Sequence, residues 1–330
     1  MTRTLIIGSL AGLASAMLTL AAISGPFGFA LSYLTVLPLF FAGFTHGLSA
    51  AAMAGAVGTV ISGLSGLAAG GVFLVTFAAP AVLVVRQALL ARPAAEAGPD
   101  AGPDAGQIAG ELEWYPLGRI LLSLVGWAAG LFALALLLTA GNEGGLPGTI
   151  QPMVEQVLGL FQQANSDAEL PDMSAAAPQM AVLLPAAFAF GWLAMMVANG
   201  TLAQSLATML KQNRRPSPQY RALTLPRFLV FALAAALVAG FVLPEGAQFA
   251  AITMATILAF PYLLQGLAVV HGVAAKTAVP GLVLAVFYVA LVVGSLGGFL
   301  IALVVILGLI EEWAGFRRRL AGAGTSRENE

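Results

Sequence analysis

Residues 117–140 read LGRILLSLVGWAAGLFALALLLTA, and this stretch decides the fold class. Arg119, near its start, is its one charged residue. A helix of about 20 apolar residues is long enough to cross the ~30 Å hydrocarbon layer of a lipid bilayer. The sequence therefore predicts a transmembrane helix here.

Similar apolar runs recur along the 330-residue chain. We predict further spans at 4–23, 29–45, 47–64, 67–90, 179–205, 226–243 and 248–270. The apolar run 280–312 is too long for one span, and Gly297 and Gly298 lie at its centre, so two short helices around a turn are expected. The predicted fold is an all-α, polytopic membrane helix bundle of about ten transmembrane helices, with eight or nine as alternatives. A cleaved signal peptide is a second interpretation of 4–23, but that run is long for a signal core.

The composition excludes several functional classes. Hydrophobic residues make up 59% of the chain and charged residues 9%, against about 25% charged in an average soluble protein. A net charge of -1 does not suit a nucleic-acid binder, and the absence of cysteine excludes disulfides and thiolate metal sites. Two histidines leave little for a metal centre. We therefore predict no metal, no cofactor and no nucleic-acid partner.

The positions of the basic residues predict the orientation. If the N-terminus is cytoplasmic, all 14 Lys and Arg residues fall on the cytoplasmic side of the predicted spans. Glu143, Glu155 and Glu245 then fall outside. An even number of spans follows, with both termini in the cytoplasm. The predicted location is the bacterial cytoplasmic (inner) membrane, which the chain crosses several times.

The predicted organisation has four segments. Residues 1–90 form the first four spans, 91–116 a flexible cytoplasmic linker rich in Pro, Ala, Gly and Asp, 117–316 the remaining spans, and 317–330 a cytoplasmic tail. The outer loop 141–178 contains apolar residues at helical spacing from Ile150 to Phe161. That amphipathic helix is either an interfacial or packing helix, or a lid over an outward-facing pocket.

Uncharged polar side chains inside the spans are the candidate ligand-binding residues. They are hydroxyl, amide and aromatic groups suited to a small neutral or amphipathic ligand: Tyr33, Thr35, Thr253, Thr256, Tyr262, Gln265 and Tyr288. The alternative for each is a hydrogen bond between helices. The sequence has no phosphate-binding loop, no nucleophile elbow and no ionisable residue near a predicted span centre, so we predict no catalytic residues and no enzymatic activity.

Two sets of residues are candidate partner contacts. Gly8, Gly12 and Ala16 recur every four positions, which is typical of a face where membrane helices approach closely, either within the chain or against a partner. Near the C-terminus, Glu311, Trp313 and Arg317 either anchor the last span at the membrane interface or bind a cytoplasmic partner.

Two C-terminal stretches, QGLAVVH at 265–271 and GLIEEWAGFR at 308–317, together with the layout of spans, resemble the YybS-like family of uncharacterised bacterial integral-membrane proteins. That family is similar to substrate-binding S components of energy-coupling-factor transporters. The resemblance implies that the protein captures a small molecule and works with a membrane coupling subunit and ATPases. It also implies that the coupling subunit docks on the face that carries Gly8, Gly12 and Ala16.

We therefore expect a non-enzymatic substrate-capturing or transport component whose first partner is the lipid bilayer. The alternative is a membrane scaffold in envelope biogenesis or cell division that acts through its cytoplasmic basic loop 211–221 and tail.

Overall fold

The computed structural model describes residues 2–93, 112–164, 174–218, 223–293 and 297–316. Most of these residues are helical. The chain divides into two compact units, each built from separate parts of the sequence. Unit 1 contains Met1–Leu124 and Leu193–Gln219, and unit 2 contains Val125–Trp192 and Tyr220–Glu330.

The first part of the chain, which lies in unit 1, forms six α-helices and a short antiparallel pair of strands. These elements are α1 (Thr2–Ala21), α2 (Pro26–Ser32), α3 (Leu37–His46), α4 (Leu48–Gly63), α5 (Leu67–Phe73), α6 (Ala79–Ala88), β1 (Ala91–Pro93) and β2 (Leu112–Trp114). A π-helical turn, Leu74–Ala78, joins α5 to α6.

The rest of the described chain is helical. Its elements are α7 (Leu117–Thr139), α8 (Gly145–Ala164), α9 (Ala177–Met209), α10 (Phe228–Val242), α11 (Glu245–Ala274), α12 (Pro280–Val293) and α13 (Gly297–Ala314). By sequence, α7 begins in unit 1 and continues into unit 2, and α9 begins in unit 2 and ends in unit 1.

The membrane-helix prediction is confirmed in its coarse form. Six helical segments of the described chain are long and apolar enough to cross a membrane: Thr2–Ala21, Pro26–His46, Leu67–Ala88, Leu117–Thr139, Ser174–Met209 and Gly246–Ala274. Shorter apolar helices cover Leu48–Gly63, Phe228–Val242 and Pro280–Leu291. The predicted division of 280–312 is also observed, since α12 ends at Val293 and α13 begins at Gly297. The number of crossings and the side of each terminus stay predictions.

In unit 1, α1 packs along α4 through small residues. Gly8, Gly12 and Ala16 are all buried on this face. A Cβ on Gly12 would overlap the carbonyl oxygen of Ala54, and one on Gly8 would lie 2.8 Å from Cβ of Met53. The two backbones can approach this closely because these α1 positions carry no side chain.

In unit 2, the corresponding close contact joins α11 to α13. A Cβ on Gly266 would overlap the carbonyl oxygen of Val304, and a Cβ on Gly308 would overlap that of Tyr262. Each glycine therefore lies directly on the backbone of the other helix. Helices in lipid gain little from the hydrophobic effect, so this close packing is a main source of their association.

The predicted amphipathic helix is present as α8 and packs within unit 2. Val154 and Leu158 are buried against Ala177 and Ala181 at the start of α9. Met153 and Val157 lie on the exposed side, at 65% and 63% exposure. The observed contacts fit the packing alternative, and the apolar exposed side suits an interfacial helix.

Two arginines after α9 cap the ends of other helices in unit 1. Nε of Arg214 donates to the carbonyl of Thr45 in the last turn of α3, at 3.1 Å. Nη1 of Arg215 donates to the carbonyl of Ala88 at the end of α6 at 3.2 Å, and Nη2 donates to that of Tyr115 at 3.1 Å. Arg215 is buried. The last carbonyls of a helix have no partner within it, so this arginine clamp supplies the missing donors.

The clamp is itself held by polar groups from the same unit. Side-chain amides of Gln204 and Asn213 both donate to the carbonyl of Arg215, at 2.9 and 2.8 Å. The guanidinium of Arg215 also lies 5.8 Å from the ring centroid of Trp114. Gln204 belongs to α9, so the clamp fixes that helix relative to α3 and α6.

The ends of the predicted linker 91–116 pair as β1 and β2, with Arg92 opposite Glu113. Residues 94–111 of this linker, and the whole tail 317–330, lie outside the described residues. Nε of Arg92 and the Glu113 carboxylate are 2.7 Å apart on the exposed side of the pair. This hydrogen bond and the positive charge of Arg92 hold the pKa of the Glu113 carboxyl below its usual value.

The arginine clamp predicts a clear order of stabilities. Arg215→Ala removes two charge-assisted hydrogen bonds from a buried position and should lower the free energy of unfolding by about 3 kcal/mol. Arg215→Lys keeps the charge, but it loses the forked guanidinium that reaches two carbonyls. The stability of this variant should therefore lie between those of the wild type and Arg215→Ala. Arg92→Ala, which breaks an exposed pair, should change the same quantity by less than about 1 kcal/mol. Thermal unfolding of the purified protein in detergent would measure this order, and equal losses for the two alanine variants would contradict it.

The α11–α13 contact predicts that a single methyl group is harmful. Gly308→Ala forces a Cβ into the backbone of α11 and should destabilise the protein by about 1–3 kcal/mol, which overrides the higher helix propensity of alanine. Gly191→Ala is the matched control in unit 2, because Gly191 lies inside α9 with nothing within 4 Å of an added Cβ. Its melting temperature should stay the same or rise. A Gly308→Ala protein as stable as Gly191→Ala would show that the helices are not in backbone contact.

Candidate functional site

The first polar centre lies in unit 1, where an apolar helical segment is interrupted. Residues 33–36 form a turn between α2 and α3, within the apolar segment Pro26–His46. The turn is closed by bonds between residues three apart, such as Leu34 N to the Leu31 carbonyl at 2.9 Å. Pro38 follows at the start of α3, and its missing N–H is consistent with a helix that restarts here. The region predicted as one span at 29–45 therefore contains a full break in the helix.

Side chains from two other helices bind the carbonyls that this break leaves open. The hydroxyl of Ser15 on α1 donates to the carbonyl of Thr35. Nδ2 of Asn199 on α9 donates to the carbonyl of Tyr33 at 2.8 Å. Oγ1 of Thr19 and Oγ1 of Thr35 lie 3.3 Å apart. Polar groups of three elements are thus gathered at one break, and the backbone there is satisfied without water.

One acceptor at this break has no partner within the described part of the chain. Asn199 is 3% exposed, and its Oδ1 is buried without a hydrogen bond, whereas its Nδ2 serves the carbonyls of Tyr33 and Met195. A buried carbonyl group without a donor is destabilising by roughly 1–3 kcal/mol, and in membrane proteins irregular backbone is found where it lines a cavity or is covered by protein. The broken-helix centre, defined by Ser15, Thr19, Thr35 and Asn199, can therefore accept a hydrogen bond from a ligand.

The second polar centre lies in unit 2, on the faces of α11 and α13 that meet. Tyr262 is four residues before Gly266, and Glu312 is four residues after Gly308, so both lie on the contact faces. Nε2 of Gln265 donates to Oε2 of Glu312 at 3.3 Å. Tyr262 and Gln265 are 0% and 1% exposed. Among the residues that the structure describes, the Tyr262 hydroxyl and Gln265 Oε1 have no hydrogen-bond partner.

The structure distributes the seven predicted ligand residues over these two centres and beyond them. Thr35 lies in the broken-helix centre, and Tyr33 takes part through its carbonyl only, since its ring is 50% exposed. Tyr262 and Gln265 lie together in the second centre. Thr253 is buried elsewhere on α11, and the hydroxyl of Thr256 bonds back to the carbonyl of Ile252 at 3.0 Å.

Tyr288, the seventh residue, pairs with a histidine. Its hydroxyl lies 3.4 Å from Nε2 of His271, and Nδ1 of His271 lies 2.9 Å from the carbonyl of Leu267. An imidazole that donates through Nδ1 has an acceptor at Nε2, so Tyr288 is the donor of this pair.

The predicted partner residues have different positions. Gly8, Gly12 and Ala16 contact α4 of the same chain, which is the intramolecular alternative. Glu311 is buried, and its Oε2 accepts a hydrogen bond from the backbone N–H of Phe316 at 2.7 Å. Trp313 is 70% exposed, as an interface anchor would be, and Arg317 lies outside the described residues. A partner-binding role for any of them stays a prediction.

Sequence reasoning missed Ser15 and Thr19, and it left Asn199 and Glu312 out of the candidate ligand-binding residues. Ser15, Thr19 and Asn199 are polar residues inside apolar runs, and that isolation is the signal that could have marked them. Among the described residues, the hydrogen bond to Glu312 comes from Gln265.

The apolar helices and their buried polar groups define a multi-pass membrane protein. The chain belongs to the family described as "Predicted membrane protein (DUF2232)", whose family model matches residues 111–311. The matched region covers more than half of the chain and includes Asn199, Tyr262 and Gln265. No curated protein and no solved structure matches the chain.

Proposed function

We propose that this membrane protein is a non-enzymatic component that captures a small uncharged molecule at the broken-helix centre for transport. The observation that carries the proposal is the buried, unpartnered Oδ1 of Asn199 beside the break between α2 and α3. A ligand that donates a hydrogen bond to this oxygen would satisfy it, and the nearby Thr19 hydroxyl, whose proton is donated to the Ser15 carbonyl, can still accept.

The surroundings of Asn199 favour a neutral ligand. The residues that define the broken-helix centre are uncharged. Moving a charged ligand into a low-dielectric site without a countercharge would be costly. A hydroxyl-, amide- or ring N–H-bearing molecule satisfies the orphan acceptor without that cost.

The proposed setting follows from the sequence resemblance. A YybS-like protein similar to S components of energy-coupling-factor transporters would lie in the bacterial inner membrane with both termini in the cytoplasm. It would deliver its ligand through a membrane coupling subunit and ATPases, because its own sequence carries no phosphate-binding loop.

The scaffold alternative is less well supported. It depends on the basic loop 211–221 as a partner surface. Within that loop, the side chains of Arg214 and Arg215 donate hydrogen bonds to carbonyls of α3 and α6 in the same chain. Because these two arginines bind helices of the same chain, fewer basic side chains of the loop remain for a partner.

Ligand extraction tests the transport proposal. The full chain is purified in mild detergent, denatured, and its small-molecule content is compared by mass spectrometry with that of an unrelated membrane protein purified in parallel. We expect one reproducible compound in the wild type. Asn199→Leu should retain at least about tenfold less of it, since losing a buried hydrogen bond of about 1.4 kcal/mol reduces binding tenfold.

The control is Thr139→Val. Thr139 bonds only within its own helix, to the Ala135 and Leu136 carbonyls, so its loss should leave the ligand content unchanged. If Asn199→Leu fails to fold, Thr35→Val removes a hydroxyl from the same centre. A wild-type protein that repeatedly purifies empty, or a folded Asn199→Leu protein with full ligand content, would refute the proposal.

A further inference from the structure

We propose that the centre formed by Tyr262, Gln265 and Glu312 binds a compact monovalent cation, either an alkali ion or ammonium. This cation centre lies in unit 2 and does not depend on the proposed function of the broken-helix centre. Sequence reasoning expected a neutral ligand at Tyr262 and Gln265. The carboxylate beside Gln265 in the structure changes the ligand chemistry to that of a cation.

The geometry of the α11–α13 contact brings the three side chains together. Gly266 and Gly308 place the two backbones in direct contact. Residues four apart on a helix share a face, so Tyr262 and Glu312 both lie in the seam between the helices. Nε2 of Gln265 hydrogen-bonds to Oε2 of Glu312. Tyr262 and Gln265 are three residues apart and therefore neighbours on the same face of α11, where the Tyr262 hydroxyl is buried. The arrangement is therefore fixed by backbone packing and not by flexible surface side chains.

Two buried oxygens of this centre receive no hydrogen bond from the described residues. The hydroxyl oxygen of Tyr262 and Oε1 of Gln265 are buried acceptors without a donor. Oε2 of Glu312 receives one neutral donor, the amide N–H of Gln265. Two neutral oxygens and one carboxylate, each with unused acceptor capacity, match the oxygen ligands that hard cations prefer.

The local charge points in the same direction. Glu311 and Glu312 lie in the last turn of α13, where the helix dipole is negative and disfavours carboxylates. Among the described residues, Glu312 forms no salt bridge. A cation beside Glu312 would offset both the partly buried carboxylate charge and the dipole. One carboxylate with two neutral oxygens suits a single positive charge, and the described residues contain no group of three His, Asp or Glu side chains for a metal of higher charge.

A simple rotation would complete the site. Without a cation, Nε2 of Gln265 donates its hydrogen bond to the Glu312 carboxylate. Turning the amide by 180° about its last torsion exchanges Nε2 for Oε1, and such terminal torsions have broad, low barriers. Oε1 would then face a cation bound at the Glu312 carboxylate.

A cation titration of the full chain in detergent tests this inference. Thermal unfolding is followed in sodium, potassium, lithium or ammonium chloride, with N-methyl-D-glucamine chloride keeping the ionic strength constant. A ligand that binds the folded state raises the melting temperature in a saturable way. We expect such a rise with at least one compact cation, and no rise with N-methyl-D-glucamine.

The variants assign the effect to the three side chains. Glu312→Gln should abolish the rise, and Tyr262→Phe should increase the half-saturating concentration about tenfold, as expected for the loss of one buried ligand group. Glu155→Gln is the matched control, since it removes the negative charge from a similar Gln–Glu hydrogen bond, from Gln151 at 2.8 Å, on the exposed side of α8. It should titrate like the wild type.

Three results would overturn the inference. The first is a wild-type melting temperature that no compact cation raises above the N-methyl-D-glucamine baseline, as expected if an arginine of 317–319 is the natural countercharge. The second is an equal rise in Glu312→Gln, or, if that variant does not fold, an unchanged half-saturating concentration in Tyr262→Phe. The third is a wild-type melting temperature that depends on pH and not on the cation, which would assign the site to a proton.

Discussion

The structure depends on one constraint: a chain in hydrocarbon has no water with which to pair its polar backbone groups. Regular helices meet this condition along their length, but their ends and interruptions do not. In unit 1, the ends of α3 and α6 are completed by the guanidinium groups of Arg214 and Arg215, and the break between α2 and α3 by Ser15 and Asn199. These polar side chains therefore supply hydrogen bonds to backbone groups that have no partner within their own helix. Hydrogen-bonding capacity that they do not use in this way is available to a ligand.

The two polar centres have the same origin but different chemistry. At the broken-helix centre, the residues are neutral and one amide oxygen is left over. At the proposed cation centre, close glycine packing buries a tyrosine and a glutamine beside a carboxylate, and that carboxylate is the reason for inferring a cation there. The two centres lie in different units, and each can be tested without the other.

Sequence alone predicted most of the helices because apolar length is a strong signal. The runs at 117–140 and 248–270 correspond to α7 and α11, and the Gly297–Gly298 pair correctly indicated two helices between 280 and 312. The sequence predicted the two polar centres only in part. Thr35, Tyr262 and Gln265 were recognisable as polar residues in apolar runs, but Asn199 contacts a residue 166 positions away, a pairing that no local pattern contains. The arginines of 211–221 were interpreted through membrane topology, because a charge count does not reveal that two of them reach into the chain.

The central claim is that the break at residues 33–36 gathers groups of separate helices into one buried polar centre. A chain without cysteine allows a direct test, because two engineered thiols are the only ones present. Oγ1 of Thr19 and Oγ1 of Thr35 are 3.3 Å apart, so Thr19→Cys with Thr35→Cys should form a disulfide rapidly on oxidation in membranes. Thr19→Cys with Thr45→Cys, ten residues or roughly 15 Å further along the segment, should not. Failure of the first pair to cross-link, or equal cross-linking of both, would contradict the account.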